Sequence, residues 1–209
     1  MDARITGPRL PKPAATRDDF PVIVRWARIV LTLSLIPLSW YTFHDRYGKV
    51  PLLGGIDLAI HEFGHMLFMP FGIPFLGHTM VILGGSLTQV ALPLIFVAYF
   101  LRNGEGVRDL HAAMVCLWWS SMNLVDVAVY CADARAGVLM LISGETGQES
   151  DGHDWNNLLH IWHALNKDTV IAHRMRGVAW LVCVVSIGIG LYAAWNSGHA
   201  NAGNEPLPG

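Results

Sequence analysis

The chain has 209 residues, 53% of them hydrophobic and 14% charged, with a formal net charge of −2 and a mean hydropathy of +0.39. Because an average soluble domain carries about 25% charged residues, this composition excludes an ordinary water-facing enzyme and favours a protein embedded in the lipid bilayer. The near-zero net charge and the scattered basic residues exclude the electrostatic footprint of a nucleic-acid-binding protein. The three cysteines lie far apart in apolar runs, which is typical of core residues rather than of a disulfide framework.

Apolar stretches in chain order predict an all-α, multi-pass membrane helix bundle with five spans. Each stretch is close to the about 20 residues that cross a hydrocarbon core, and they cover residues 21–43, 52–71, 80–101, 112–131 and 177–195. We interpret residues 1–20 as a flexible leader, residues 21–196 as a single membrane-embedded domain, and residues 197–209 as a flexible tail. Glycine, polar residues and proline interrupt the third stretch between Gly84 and Pro93, so we expect that helix to be broken or partly re-entrant.

The basic residues predict the orientation of the bundle. If the N-terminus is inside, ten of the 14 lysines and arginines lie in inside segments and four in outside segments. Cytoplasmic flanks of membrane spans carry the excess of these residues. The N-terminus is therefore predicted to be cytoplasmic.

The long polar connection between the fourth and fifth stretches contains one more predicted helix. Its apolar residues recur at the spacing of an amphipathic helix, and tryptophan suits a membrane interface; they are Trp155, Leu158, Leu159, Trp162 and Leu165. We expect this helix to lie on the inner membrane surface. The alternative is that it packs on the other helices as a cap.

The sequence His61-Glu62-Phe63-Gly64-His65 falls inside the second apolar stretch. Helical residues four apart share a face, so His61 and His65 can bind one metal ion while Glu62 acts as a base on a water molecule. Ionisable groups inside a bilayer cost about 2.5–3.5 kcal/mol each, and a bound cation compensates this cost. The pattern therefore predicts a Zn²⁺ site with Glu62 as the catalytic residue.

A catalytic zinc ion needs a third protein ligand and an open position for water. Matching the depth of the two histidines to the fourth stretch points to Asp126, with Asn123 nearly one turn away as a hydrogen-bond partner for the substrate or the site. Asp133, two turns beyond Asp126, is one alternative ligand. His153 or Asp154, in a loop that folds back, is the other.

Three motifs resemble the site-2 protease family of intramembrane zinc metalloproteases. The first is HEFGH within a membrane span, the second is the glycine-containing Gly85-Ser86-Leu87-Thr88-Gln89 in the next stretch, and the third is Asn123-Leu124-Val125-Asp126. The resemblance covers about residues 52–130. It implies zinc, His61 and His65 as ligands, Glu62 as the catalytic base and Asp126 as the third ligand.

Together these features predict a zinc-dependent intramembrane endopeptidase that hydrolyses peptide bonds of membrane-associated protein or peptide substrates. We expect Gln89 and Asn123 to contact the substrate, with Gln89 in a polar path that admits water. Two alternatives stay open. One is a non-proteolytic membrane metal-binding protein, such as a regulator, adaptor or transporter component, and the other is a polar cluster without metal.

Overall fold

The computed structural model describes residues 22–71, 77–102 and 109–197. In these segments the regular elements are helices, apart from one isolated antiparallel bridge between Met140 and Thr146, so the predicted all-α class is confirmed there. The helices are α1 (Val22–His44), α2 (Gly54–Phe71), α3 (His78–Leu101), α4 (Leu110–Ala132), α5 (Asp154–Ile161) and α6 (Asp168–Asn196), with a 3₁₀ turn at Leu165–Lys167. The predicted leader, and the tail beyond Ser197, lie outside the described residues.

Four helices of the described segments are long and apolar enough to cross a membrane, namely α1, α3, α4 and α6 with the 3₁₀ turn before it. They indicate a membrane protein, but the predicted count of five spans is not confirmed. The remaining candidate, α2, has 18 residues and carries an aspartate, a glutamate and two histidines, which lower its hydropathy. The helix with the predicted metal ligands is therefore not among the four helices that are apolar enough to cross a membrane.

Helix α4 lies at the centre of the bundle and packs against α6, α3 and α1. The Asp109 side chain caps its start by accepting a hydrogen bond from the backbone N–H of Ala112 at 3.0 Å. Met122, Val125 and Ala128 of this helix are fully buried, whereas α1 and α6 expose large apolar side chains to their surroundings. This division is expected for an inner helix surrounded by helices that face lipid.

Helix α3 is continuous from His78 to Leu101, so the predicted break is wrong. Its glycines serve helix packing instead. A Cβ on Gly64 of α2 would collide with the carbonyl oxygen of Gly84, and a Cβ on Gly84 would come within 2.8 Å of the carbonyl oxygen of Gly64. Since small residues let helix backbones approach closely, this glycine contact holds α2 tightly against α3.

The predicted amphipathic segment forms the eight-residue helix α5. Its Trp155, Leu158 and Leu159 are buried in a cluster with apolar residues of α3 and α4, and Trp155 donates its indole N–H to Ser86 Oγ at 3.1 Å. This packing corresponds to the alternative of a cap on the other helices. A position on the membrane surface is not confirmed.

Candidate metal centre

His61 and His65 lie one turn apart on α2, with ring centroids separated by 4.9 Å. His65 donates from Nδ1 to the backbone carbonyl of Val81 at 2.7 Å, and His61 Nδ1 lies 3.0 Å from Gln89 Oε1. The contacts pair residues of α2 and α3 in reverse order, so the two helices run antiparallel. Because each Nδ1 faces an oxygen acceptor, each Nε2 is left to present its lone pair to a cation.

Asp154, the first residue of α5, completes the group. Its Oδ2 atom lies 3.1 Å from His61 Nε2 and 3.2 Å from His65 Nε2, and one donor atom from each of the three residues lies within 4.8 Å of the others. Ligands at about 2.0–2.1 Å from a tetrahedral ion are about 3.3 Å apart. This donor set could therefore hold a metal ion with little movement.

Gly85 of α3 bounds the space in front of both histidines. A Cβ at this position would lie 2.6 Å from His61 Nε2 and 2.6 Å from His65 Nε2. Any side chain here would enter the region towards which both donor nitrogens point. The absence of a side chain at Gly85 is thus a second observation that fits a cation at this place.

Neighbouring residues fix the position of Asp154. His153 is 2% exposed, its Nε2 lies 3.3 Å from Asp133 Oδ2, and its Nδ1 accepts the backbone N–H of Asn156 at 3.2 Å, which caps α5. Tyr130 of α4 accepts the backbone N–H of Asp154 at 3.0 Å. Hydrogen bonds at His153 and at the backbone N–H of Asp154 therefore fix the position of the Asp154 carboxylate.

Two pKa shifts in the connection between α4 and α5 favour this arrangement. Burial raises the pKa of Asp154, but the adjacent imidazoles of His61 and His65 outweigh it and place the pKa below its ordinary value. Burial lowers the pKa of His153 more than the nearby Asp133 raises it. At neutral pH Asp154 is thus ionised, as a metal ligand must be, and His153 is neutral.

A cavity of about 590 Å³ adjoins the three donors. Glu62 lines this cavity, is half-buried, and has no hydrogen bond or ion pair to another side chain within the described part of the chain. Its carboxylate is available to a small molecule in the cavity. The rest of the lining combines polar and apolar side chains, among them Gln89, Asp126, Tyr130, Leu139, Met140, Leu141 and Ile142.

The other predicted site residues form a layer behind His61. Asp126 is not among the three converging donors, because its Oδ2 accepts a hydrogen bond from Gln89 Nε2 at 2.8 Å, and Gln89 lies between it and His61. Asn123 is 1% exposed and donates from Nδ2 to the backbone oxygen of Gln89 at 2.8 Å. Asn123 is therefore placed to hold α3 rather than to contact a substrate. Of the ligands left open by the sequence, the geometry favours Asp154.

Sequence reasoning missed Tyr130 as a residue of the site, and it named Gly85 in the second motif without predicting its position in front of the two histidines. Tyr130 lies one helical turn after Asp126, and this spacing places both side chains on the same face of α4. The role of Gly85 had no signal in its local sequence, because it depends on the approach of α2. The last predicted alternative ligand, Asp133, pairs with His153 instead.

The described residues form a helical fold, indicative of a membrane protein, with a candidate metal centre next to a half-open cavity. Comparisons of the chain with family models, curated proteins and solved structures give no match. The function is therefore argued from the geometry of the site.

Proposed function

We propose that this chain is a zinc-dependent, membrane-embedded endopeptidase of the site-2 protease type, acting on membrane-associated protein substrates. The observation that carries the proposal is the convergence of His61 Nε2, His65 Nε2 and Asp154 Oδ2 beside a cavity lined by Glu62. Two imidazoles and one carboxylate form the three-ligand set that catalytic zinc uses when a fourth position stays open. A closed storage or transport site would need a further protein ligand there.

The roles of the residues follow from their positions. A bound zinc ion supplies Lewis-acid chemistry, since it polarises a carbonyl group and makes a water molecule more acidic. Glu62, adjacent to His61 and facing the cavity, accepts the proton of the attacking water as the new C–O bond forms. It then transfers this proton to the leaving amine as the C–N bond breaks.

The cavity supports a peptide substrate in extended form. Its apolar side, contributed by residues 139–142, suits the side chains of a membrane-associated segment, while its polar side carries Glu62 and the three donors. A helical peptide bond is shielded by its own hydrogen bonds and side chains, so a substrate helix has to unwind before it reaches Glu62. If α2 spans the membrane together with the other four helices, the excess of basic residues in the inside segments supports a cytoplasmic N-terminus.

The substitution Glu62→Gln tests this proposal. The protein purified in detergent is analysed for zinc, and the protein reconstituted in vesicles is incubated with two probes, casein and a single-span peptide that carries a fluorophore and a quencher. We expect the parent and Glu62→Gln to contain equal, stoichiometric zinc, and only the parent to cleave a probe. A zinc chelator should stop this cleavage.

The matched control is Glu145→Gln, which changes an exposed glutamate in the connection between α4 and α5 and should cleave like the parent. Equal cleavage by the parent and Glu62→Gln would refute the assigned base. Absence of zinc from the parent would refute the metal site. A parent that holds zinc but cleaves neither probe would instead favour a non-proteolytic metal-binding protein.

A further inference from the structure

We propose that Asp126 is a positioning residue: it fixes the orientation of the Gln89 amide and thereby selects the ring nitrogen that His61 offers to a metal ion. The inference rests on the metal site of the proposed function and assigns a role to the buried carboxylate behind it. Its test separates the two, because the protonation of His61 is measured without metal.

The contacts form a continuous series across three helices. Asp126 Oδ2 on α4 accepts a hydrogen bond from Gln89 Nε2 on α3 at 2.8 Å, and Gln89 Oε1 lies 3.0 Å from His61 Nδ1 on α2. Gln89 is 2% exposed, and Asn123 Nδ2 also holds its backbone oxygen at 2.8 Å. The amide is therefore confined to this position, and rotation about its last bond is the freedom that remains.

That rotation decides the chemistry of His61. An amide can present either its oxygen or its NH₂ group to a neighbour. In the structure Asp126 Oδ2 accepts the hydrogen bond from the NH₂ group of Gln89, which leaves the amide oxygen for His61. An oxygen acceptor at Nδ1 keeps the imidazole proton there and leaves the Nε2 lone pair free to bind a cation.

A comparison with His65, the second histidine of α2, shows why the orientation of the Gln89 amide matters for His61. His65 Nδ1 donates to the backbone carbonyl of Val81, and a carbonyl group has no alternative face that could donate a hydrogen bond. The amide of Gln89 has one. If the amide rotated by half a turn, its NH₂ group would donate to His61 Nδ1. The imidazole proton would then move to Nε2 and occupy the lone pair that binds the metal ion.

The zinc affinity of the intact protein in detergent, measured by competition with a chromophoric chelator, tests the proposal. We expect Asp126→Leu and Gln89→Leu each to weaken zinc binding by about 10–100-fold, the loss typical of residues that orient a metal ligand. The double variant should bind no more weakly than Gln89→Leu alone, because Asp126 acts through Gln89. The conservative variant Asp126→Asn retains an acceptor oxygen and should recover most of the affinity.

The matched control is Asp168→Asn, which changes another buried carboxylate, hydrogen-bonded to Arg135 Nε at 2.7 Å at the start of α6, and should leave zinc affinity unchanged. If the losses in Asp126→Leu and Gln89→Leu multiply in the double variant, Asp126 acts on the metal directly and the proposal is overturned. Unchanged affinity in Asp126→Leu would overturn it as well.

Nitrogen NMR of the metal-free protein with isotope-labelled histidine provides the independent readout. We expect His61 Nδ1 to keep its proton in the parent at alkaline pH and to lose it in Asp126→Leu. The same protonation of Nδ1 in both proteins overturns the inference, even if the parent binds zinc. If the proton moves from Nδ1 in Asp126→Leu but the parent binds no zinc, the proposed function is refuted and the positioning role is kept.

Discussion

His153 and Asp154 are neighbours in the sequence, yet they belong to two different groupings of histidine and carboxylate. In the first, His153 lies 3.3 Å from Asp133 and also accepts the backbone N–H of Asn156, so both of its ring nitrogens have partners within the protein. In the second, the carboxylate of Asp154 is shared by two imidazoles and borders a cavity.

The residue types in the two groupings are nearly the same, so residue type alone does not distinguish a metal site from a structural contact. The first grouping holds the chain: Asp133 also accepts the backbone N–H groups of Val138 and Leu139 at 3.0 and 2.9 Å. The second leaves room for an ion, because Gly85 adds no side chain in front of the donor nitrogens. Convergence of donors on an open space is the feature that indicates a ligand site.

The largest effect on this comparison is expected from Asp154→Ala. Loss of a direct ligand should lower zinc affinity by more than the about 10–100-fold expected for an orienting residue, as measured by chelator competition. Asp151→Ala, which changes an exposed acid in the same connection, should bind zinc like the parent. Parent-like affinity in Asp154→Ala would show that a residue other than Asp154 is the third metal ligand.

Gly85→Ala is expected to have the next largest effect. The new Cβ would lie 2.6 Å from each histidine Nε2, so we expect zinc affinity to fall about tenfold, which corresponds to about 1.4 kcal/mol. Zinc titration measures the loss, and circular dichroism checks that the helices persist. Gly177→Ala on α6, with nothing within 4 Å of the new atom, is the control. Full affinity in a folded Gly85→Ala protein would show that zinc binding does not require a glycine at this position.

The first grouping, formed by His153 and Asp133, should respond differently to substitution. Asp133→Ala leaves His153 and the backbone N–H groups of Val138 and Leu139 without this acceptor, and an unsatisfied buried group such as the His153 ring costs about 1–3 kcal/mol. We expect a lower midpoint of thermal unfolding and faster limited proteolysis of the connection, with a smaller loss of zinc affinity than in Asp154→Ala. Glu145→Ala on the exposed side serves as the control. Equal zinc loss in Asp133→Ala and Asp154→Ala would erase the distinction between the two groupings.

The smallest effect is expected from His160→Ala. His160 is exposed on α5 and lies outside the group of converging donors, so both zinc content and the free energy of unfolding should stay within about 0.5 kcal/mol of the parent. Metal analysis and thermal unfolding measure the two quantities. A drop in zinc stoichiometry would reveal a second metal site that includes His160.

The histidine pair was predictable because four-residue spacing on a helix fixes a shared face whatever the rest of the fold does. The third donor was not, since Asp154 reaches the histidines through a connection whose path depends on the contact between His153 and Asp133, 20 residues apart in the chain. Depth matching pointed to Asp126, which lies near the site but is separated from His61 by Gln89.

The interruption predicted in α3 has a similar explanation. Glycine and polar residues suggest a broken membrane helix when the chain is considered alone. The packing of Gly64 onto Gly84, and the hydrogen bond from Trp155 to Ser86, supply the contacts that a single-helix argument cannot include. The prediction of a break was therefore wrong because it left out the elements that pack against α3.

The glycine contact between α2 and α3 divides the centre into two mechanical parts. The imidazoles and the wall in front of them belong to one stiff pair of helices, whereas the carboxylate arrives on a separate stretch of chain after α4. A displacement of that stretch would remove the carboxylate from the donors and would also break the hydrogen bond from Trp155 of α5 to Ser86 of α3. Loss of the third donor is thus coupled to the packing of α5 on α3.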